Sequence, residues 1–321
     1  MPLVVEPDWI GRRIVVRYAV DRDESGRLLF ADVVGDLLEL TTDTATVESS
    51  TGPVHVPLPH VAVAKVVEAS AAEILALSAV GSRGWRAEET AEVGGWLLRA
   101  NHGVTKRANS ALPLHRPTTS LTETLDAARQ WYATRGLPLR VQAPLHARRL
   151  LDAGLAERGW PASNETLVLA RRIPAAPDTP GVRIAAEPDD AWLARFRDGT
   201  TPPGMRALLT RHERAGFAEI RRDGATVAIG RGAVDDNWLG ITAVEVASDL
   251  RRQGLATAII HALWRWGTHA HGATHTYLEV EALNDPALTL YQALGYWEHH
   301  VYSYRTEPQT SYPPIAQESL A

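Results

Sequence analysis

From Ile10 to about Val67 the chain is a series of short β-rich runs parted by Asp, Gly, Ser and Pro turns. The runs are Arg13-Ile-Val-Val-Arg-Tyr, Leu28-Leu-Phe-Ala-Asp-Val, Leu37-Leu-Glu-Leu-Thr, Thr44-Ala-Thr-Val-Glu-Ser and Val54-His-Val-Pro-Leu, and they predict five strands. So small a module hides its strand edges by curling up, so residues 1–70 are expected to form a closed or half-closed barrel. Pro57 and Pro59 mark an edge or exit strand, because proline cannot donate to a ladder.

The pattern then mixes periods. A helical spacing begins at Ala71–Leu77, strands are expected at Gly94–Leu98 and Arg107–Leu114, and Leu121, Leu125 and Ala128 give a helix to Tyr132. A strand from Leu137, a helix His146–Ala156, the turn Arg158-Gly159-Trp160 and a strand Glu165–Arg171 follow. Residues 174–181 are a proline-rich linker and the clearest boundary in the chain. Beyond it come a strand Val182–Ala185, helical stretches Asp189–Phe196 and Pro203–Arg214, and a hairpin about Asp223-Gly224. Strand Trp238–Val246, helix Leu255–His269, strand Thr276–Val280, helix Pro286–Leu294 and strand Val301–Arg305 close the pattern, and residues 307–321 are expected to be a disordered tail. Aligning Arg158-Gly159-Trp160 with Leu294-Gly295-Tyr296 superimposes the two halves, strand, turn, helix, strand, helix, Gly-aromatic, strand, which predicts an internal repeat.

Composition narrows the class. The chain has 321 residues, enough for two or three domains, each with a core. A net charge of -5 argues against polyanion partners, so neither nucleic acid nor a membrane surface is expected. Only Lys65 and Lys106 are lysines, an imbalance toward arginine that fits GC-rich codon usage and carries no functional conclusion. Cysteine is absent, which excludes disulfides, thiolate metal sites and a cysteine nucleophile together. With no leader-like N-terminus and no long apolar run, a cytoplasmic location is expected.

The stretch with chemical content is Ile241–Ala256, a strand, a glycine turn and the start of a helix. Such a junction leaves backbone N–H groups unpaired at the positive end of the helix dipole and is a ready site for phosphate. A nucleotide P-loop needs a lysine after its second glycine, and this half of the chain has none; a dinucleotide fingerprint needs two further glycines. What remains is a pyrophosphate cradle formed by Arg252, Gln253, Gly254, Leu255, Ala256 and Thr257.

Arg251-Arg-Gln-Gly254-Leu-Ala256 at that junction, then Asn284, then Leu290-Tyr291-Gln-Ala-Leu-Gly295-Tyr296, resembles the GCN5-related N-acetyltransferase (GNAT) superfamily over roughly residues 182–306. The resemblance implies a mixed α+β fold, a mostly antiparallel central sheet with flanking helices. Residues 71–173 look like a degenerate first copy, and the leading module resembles an SH3-like barrel. It implies acetyl-CoA as co-substrate, held by the cradle from Arg251 to Thr257, by strand backbone at Val244 and Val246, and by Asn284. It further implies Tyr291 as proton donor to the departing thiolate, while Val246 N–H is the candidate carbonyl polariser.

Glu245 is the candidate base, with Glu279 and Glu281 left open beside it. The first copy has Leu114-His-Arg-Pro-Thr-Thr in place of the glycine turn and Leu155 opposite Tyr291, so one site per chain is expected. Lys106-Arg107 and Asn101-His-Gly103 are candidates for the cleft wall or for plain hairpin surface. His261, His269, His271, His275, His299 and His300 supply no tetrahedral ligand set, and no metal is expected. The expected activity is direct acetyl transfer to a primary amine of a small molecule, a peptide or a protein; the rival reading is a CoA-sensing scaffold.

Overall fold

The structure, a computed structural model, describes residues 5–163 and 165–308. Its first five strands are β1 (Arg13–Arg22), β2 (Leu28–Leu40), β3 (Thr44–Ser49), β4 (Gly52–Pro57) and β5 (Val61–Val66), in the order β4-β3-β2-β1-β5. The second and third expected runs are one long strand. Gly35 allows this, because a side chain there would meet the Glu48 backbone carbonyl as β2 crosses from β1 to β3. Residues from all five strands share one core, including Ile14, Leu37, Val47, Val56 and Ala64. Of the closed and half-closed barrels expected, the closed form is not seen among the described residues: β4 and β5 end the sheet, and Pro53 and Pro57 leave β4 short of donors.

The remainder begins with α1 (Ala71–Gly84), β6 (Glu89–Val93), β7 (Trp96–Ala100), α2 (Leu121–Ala133), β8 (Arg140–Pro144), α3 (Leu145–Glu157) and β9 (Thr166–Arg172). Ser70 and Ser120 start α1 and α2 with complete capping boxes to Glu73 and Glu123. After the linker come β10 (Val182–Ala185), α4 (Asp190–Arg195), α5 (Met205–Thr210), β11 (Ala215–Arg222), β12 (Ala225–Asp235) and β13 (Trp238–Val246). The chain ends in α6 (Leu255–His271), β14 (His275–Glu281), α7 (Asp285–Ala293) and β15 (Trp297–Thr306). The strand expected at 107–114 is instead a loop with two isolated bridges, Leu97–Leu112 and Ala111–Val141. Of the expected tail, 309–321 falls outside the described residues; Glu307 donates its N–H to Leu139 and pairs with Arg129 at 2.7 Å.

Both halves contribute to one eight-stranded sheet, β10-β11-β12-β13-β14-β9-β15-β8. All its pairings are antiparallel except β13 with β14. The last strand of each copy lies against the penultimate strand of the other, β9 on β14 and β15 on β8, and the two last strands pair with each other. One face of the sheet packs on α6 through Ile241, Val244, Val246, Leu278 and Val280 against Leu255, Ile259 and Leu263. The other face packs on α4, α5 and the end of α1 through Phe217, Ile229 and Ala243 against Trp85, Trp192, Phe196 and Leu208. No helix among the described residues is long and apolar enough to cross a membrane.

Candidate active site

The site is built where β13 and β14 part. Their parallel pairing runs from Trp238–His275 to Ile241–Leu278 and stops there. Beyond it, β13 continues along β12 to Val246 and β14 continues along β9 to Glu281. From Thr242 onward the β13 edge that faces β14 therefore has no strand partner, and its backbone groups are available to an extended ligand. A bulge accompanies the parting: the register with β12 slips between Ile229–Glu245 and Arg231–Thr242, and Ala243 takes φ 54°, a left-handed value for a residue with a Cβ.

After Val246 the chain turns through Ser248–Leu250 into α6. Arg252 has φ 63° and Gly254, the N-cap, has φ 78°, so two left-handed residues shape the turn. No side chain caps α6, and Ala258 N–H is the donor that reaches Gly254 carbonyl oxygen. The amides of Leu255, Ala256 and Thr257 precede that bond and have no intrahelical acceptor, which is the donor set a pyrophosphate takes. A Cβ built on Gly254 meets nothing within 4 Å, so the space in front of these amides is open. Arg251, Arg252 and Gln253 are exposed around it. Arg251 Nε lies 3.5 Å from Val246 carbonyl oxygen, and Arg222, at the hairpin end of β11, donates to Gln253 Oε1 at 3.0 Å. The sequence pattern gave no reason to place Arg222 here; only the folded hairpin brings it.

Val244 and Val246 project to the α6 face, and Tyr291 of α7 packs into the same apolar cluster. Its ring meets Tyr296 edge-on at 5.9 Å, and no hydrogen bond reaches its hydroxyl among the described residues. Burial pushes the Tyr291 phenol up to about 12, so it holds its proton across the physiological range. Asn284 caps α7, its amide oxygen accepting from Ala287 N–H at 3.3 Å; no bond occupies its amide nitrogen among the described residues.

The three acidic candidates separate. Glu245 projects to the face opposite α6 and accepts from Arg197 N–H at 2.9 Å. The Glu279 side chain is 7% exposed and committed: Arg107 Nε lies 2.7 Å from its carboxylate and the Tyr302 hydroxyl donates to it at 2.5 Å. Glu281 is exposed at the end of β14. Arg107, a candidate for the cleft wall, thus reaches the sheet, whereas Asn101 is buried and binds Asn109 and Arg211. In the first copy Leu155 is buried in the core of that half, without polar chemistry. Among the described residues no three His, Asp or Glu side chains gather as a metal site.

Comparison with known proteins places the chain in a family. The family model described as "Probable histone acetyltransferase Rv0428c C-terminal" matches residues 71–305, so both copies belong to the matched unit. The Mycobacterium tuberculosis protein named "Probable histone acetyltransferase Rv0428c" is 30% identical over 302 residues, covering 91% of this chain and 93% of its own. The Bacillus subtilis "Uncharacterized N-acetyltransferase YobR" is 27% identical over 244 residues, 71% of this chain and 97% of its own. A GCN5-related N-acetyltransferase from Kribbella flavida shares the fold, with a TM-score of 0.58 at 22% identity over 75% of this chain and 97% of its own. The chain belongs to the Rv0428c family of GCN5-related N-acetyltransferases, enzymes that take their acetyl group from acetyl-CoA.

Proposed function

We propose that the protein transfers acetyl directly to a primary amine, without an acyl-enzyme, in the gap between β13 and β14. The observation that carries this reading is the parting of the two strands at Ile241–Leu278 immediately before a turn whose helix leaves three amides unpaired. Acetyl-CoA supplies an acyl group already activated toward amines. Gly254 to Thr257, with Arg251, Arg252 and Gln253, hold the pyrophosphate; the backbone at Val244 and Val246 and the amide of Asn284 align the pantetheine arm. Val246 N–H receives the charge that develops on the carbonyl oxygen as the C–N bond forms. Glu245, on the acceptor face, takes the proton lost by the amine, and Tyr291 donates one to the sulfur as the C–S bond breaks.

Residues 182–306 are read as the site-bearing copy, 71–173 as the wall that encloses its acceptor side, and 1–70 as a separate β module. The cytoplasm is the proposed location of the cysteine-free chain. Calorimetric titration of acetyl-CoA into wild type and Gly254→Glu tests the cradle, since a carboxylate there faces the phosphates. The variant is expected to bind at least about tenfold more weakly; equal affinities would refute the assignment.

A further inference from the structure

We propose that the acceptor is an amino carboxylate, and that a buried anion pocket made by Arg231, Trp85 and Thr242 recognises its carboxylate beside the transfer site. This deepens the acetyl-transfer reading above and rests on it for the placement of the amine.

Arg231 lies in the middle of β12, in the apolar run Val227-Ala-Ile-Gly-Arg-Gly-Ala-Val, and is 1% exposed. Its Nε donates to Leu209 carbonyl oxygen at 2.8 Å, and its Nη2 is buried with no partner among the described residues. A buried guanidinium is costly unless an opposite charge or a full set of acceptors meets it. The neighbouring buried arginines have theirs. Arg107 pairs with Glu279 at 2.7 Å, and Arg99 donates to Ser110 Oγ, Ser110 carbonyl oxygen and Gln142. Acids on the same face are also engaged: Asp235 with Arg83 at 2.9 Å, Glu219 with Arg183 and Arg221, and Glu245 with Arg197 N–H. Arg231 has no acidic partner among the described residues.

Two more unpartnered donors stand around it. The Trp85 indole, 7% exposed at the end of α1, lies under the Arg231 guanidinium at 5.5 Å and under that of Arg107 at 5.6 Å, and its Nε1–H has no acceptor among the described residues. Thr242 sits directly opposite Arg231 in the β12–β13 register, so both side chains project to the same face, and its Oγ1 is buried without a partner among the described residues. Three donor groups with no acceptor, one of them a cation, describe a site for an anion. A carboxylate offers two oxygens and one charge, which a single guanidinium neutralises; a phosphate dianion leaves a charge uncompensated.

The position ties the pocket to the reaction. Thr242 is the first residue of β13 past the last pairing with β14, and Val244 lies two residues further, about 7 Å along a strand. An amine and a carboxylate a few bonds apart in one small molecule span that distance. The pocket is on the face opposite α6, so a carboxylate bound there leaves its amine directed at the gap between the strands. Trp85 comes from the first copy, which gives that half a part in specificity although it has no glycine turn of its own.

The test is binding to the CoA-saturated protein, followed by calorimetry, of acetylated amino acids of increasing length against their carboxamides: N-acetylglycine, N-acetyl-β-alanine and N-acetyl-4-aminobutyrate. At least one carboxylate is expected to bind about tenfold or more tightly than its amide, the difference a charge-assisted hydrogen bond gives. Arg231→Gln is expected to abolish that preference, and Trp85→Phe, which keeps an aromatic ring without the N–H, and the isosteric Thr242→Val to reduce it severalfold. If Arg231→Gln loses CoA binding and so reports a lost fold, the other two decide. Equal affinities within every pair, or a preference unchanged in Trp85→Phe and Thr242→Val, overturns the pocket. Thiol release from acetyl-CoA with the free amino acids separates the two readings. A carboxylate preference without turnover of any amine keeps the anion pocket and removes the transfer reading.

Discussion

At the scale of single residues, the sequence exposes what a short motif can hold and hides what only folding assembles. Gly254 and Asn284 were legible as helix starts, because glycine before a helix and asparagine before a proline each satisfy a local demand, whereas Tyr291 was singled out by resemblance alone. Glu279 stood open as an alternative to Glu245 until the fold showed it locked to Arg107 and Tyr302, a contact between the two copies that no local pattern encodes. Arg231 left one trace, a lone charge inside an apolar strand, and that is the signal by which it could have been found. Tyr291 yields a direct prediction. Its protonated hydroxyl has no hydrogen bond among the described residues, and the ring is only partly buried, so Tyr291→Phe removes a donor and little packing. Steady-state kinetics should show kcat lowered about 10- to 100-fold with KM for acetyl-CoA nearly unchanged, the split expected of an interaction made only in the transition state.

Among the elements, α6 depends on small residues beneath it. A Cβ on Gly230 would lie 2.4 Å from Ile259 Cγ2, and one on Gly232 about 3.0 Å from Trp266 and Leu239. These glycines let the helix approach the sheet closely enough to hold its N-terminus beside the gap between β13 and β14. Gly230→Ala is expected to lower stability by about 1–3 kcal/mol in urea titrations and to weaken acetyl-CoA binding along with it. Combining it with Ile259→Leu, which moves the branch off Cβ and so removes the Cγ2 methyl that the new Cβ meets, should recover part of both; no recovery would mean the strain is not located at that contact. Strands and helices with strong periodicity were legible in the sequence, as for α6, β13 and the hairpin of β11 and β12. The loop at 107–114 was not, since its residues turn toward the sheet to supply Arg107 while making single bridges only. β2 looked like two strands because a glycine that normally punctuates a strand serves here for close crossing.

For the whole molecule, the duplication could be read from the recurring Gly-aromatic turn, but the exchange of last strands could not. Which copy β9 joins is decided by long-range pairing, and either partner satisfies the same apolar pattern. The exchange predicts that residues 174–321 produced alone, lacking the strand that belongs between β14 and β15, neither fold cooperatively nor bind acetyl-CoA, and that co-expression with residues 1–173 restores both. A 174–321 fragment that binds acetyl-CoA with wild-type affinity would show the exchange to be dispensable. The same interleaving sets a timetable for synthesis. β8 and β9 leave the ribosome early yet flank a slot that only β15, at the far end of the chain, can fill. Until it arrives, two strand edges stand open to any other chain in the same condition, a hazard of late, non-local pairing. The sheet is therefore completed only after β15 has been made, and loss of a few residues from Trp297–Thr306 should send nascent chains toward aggregation rather than toward a weakened enzyme.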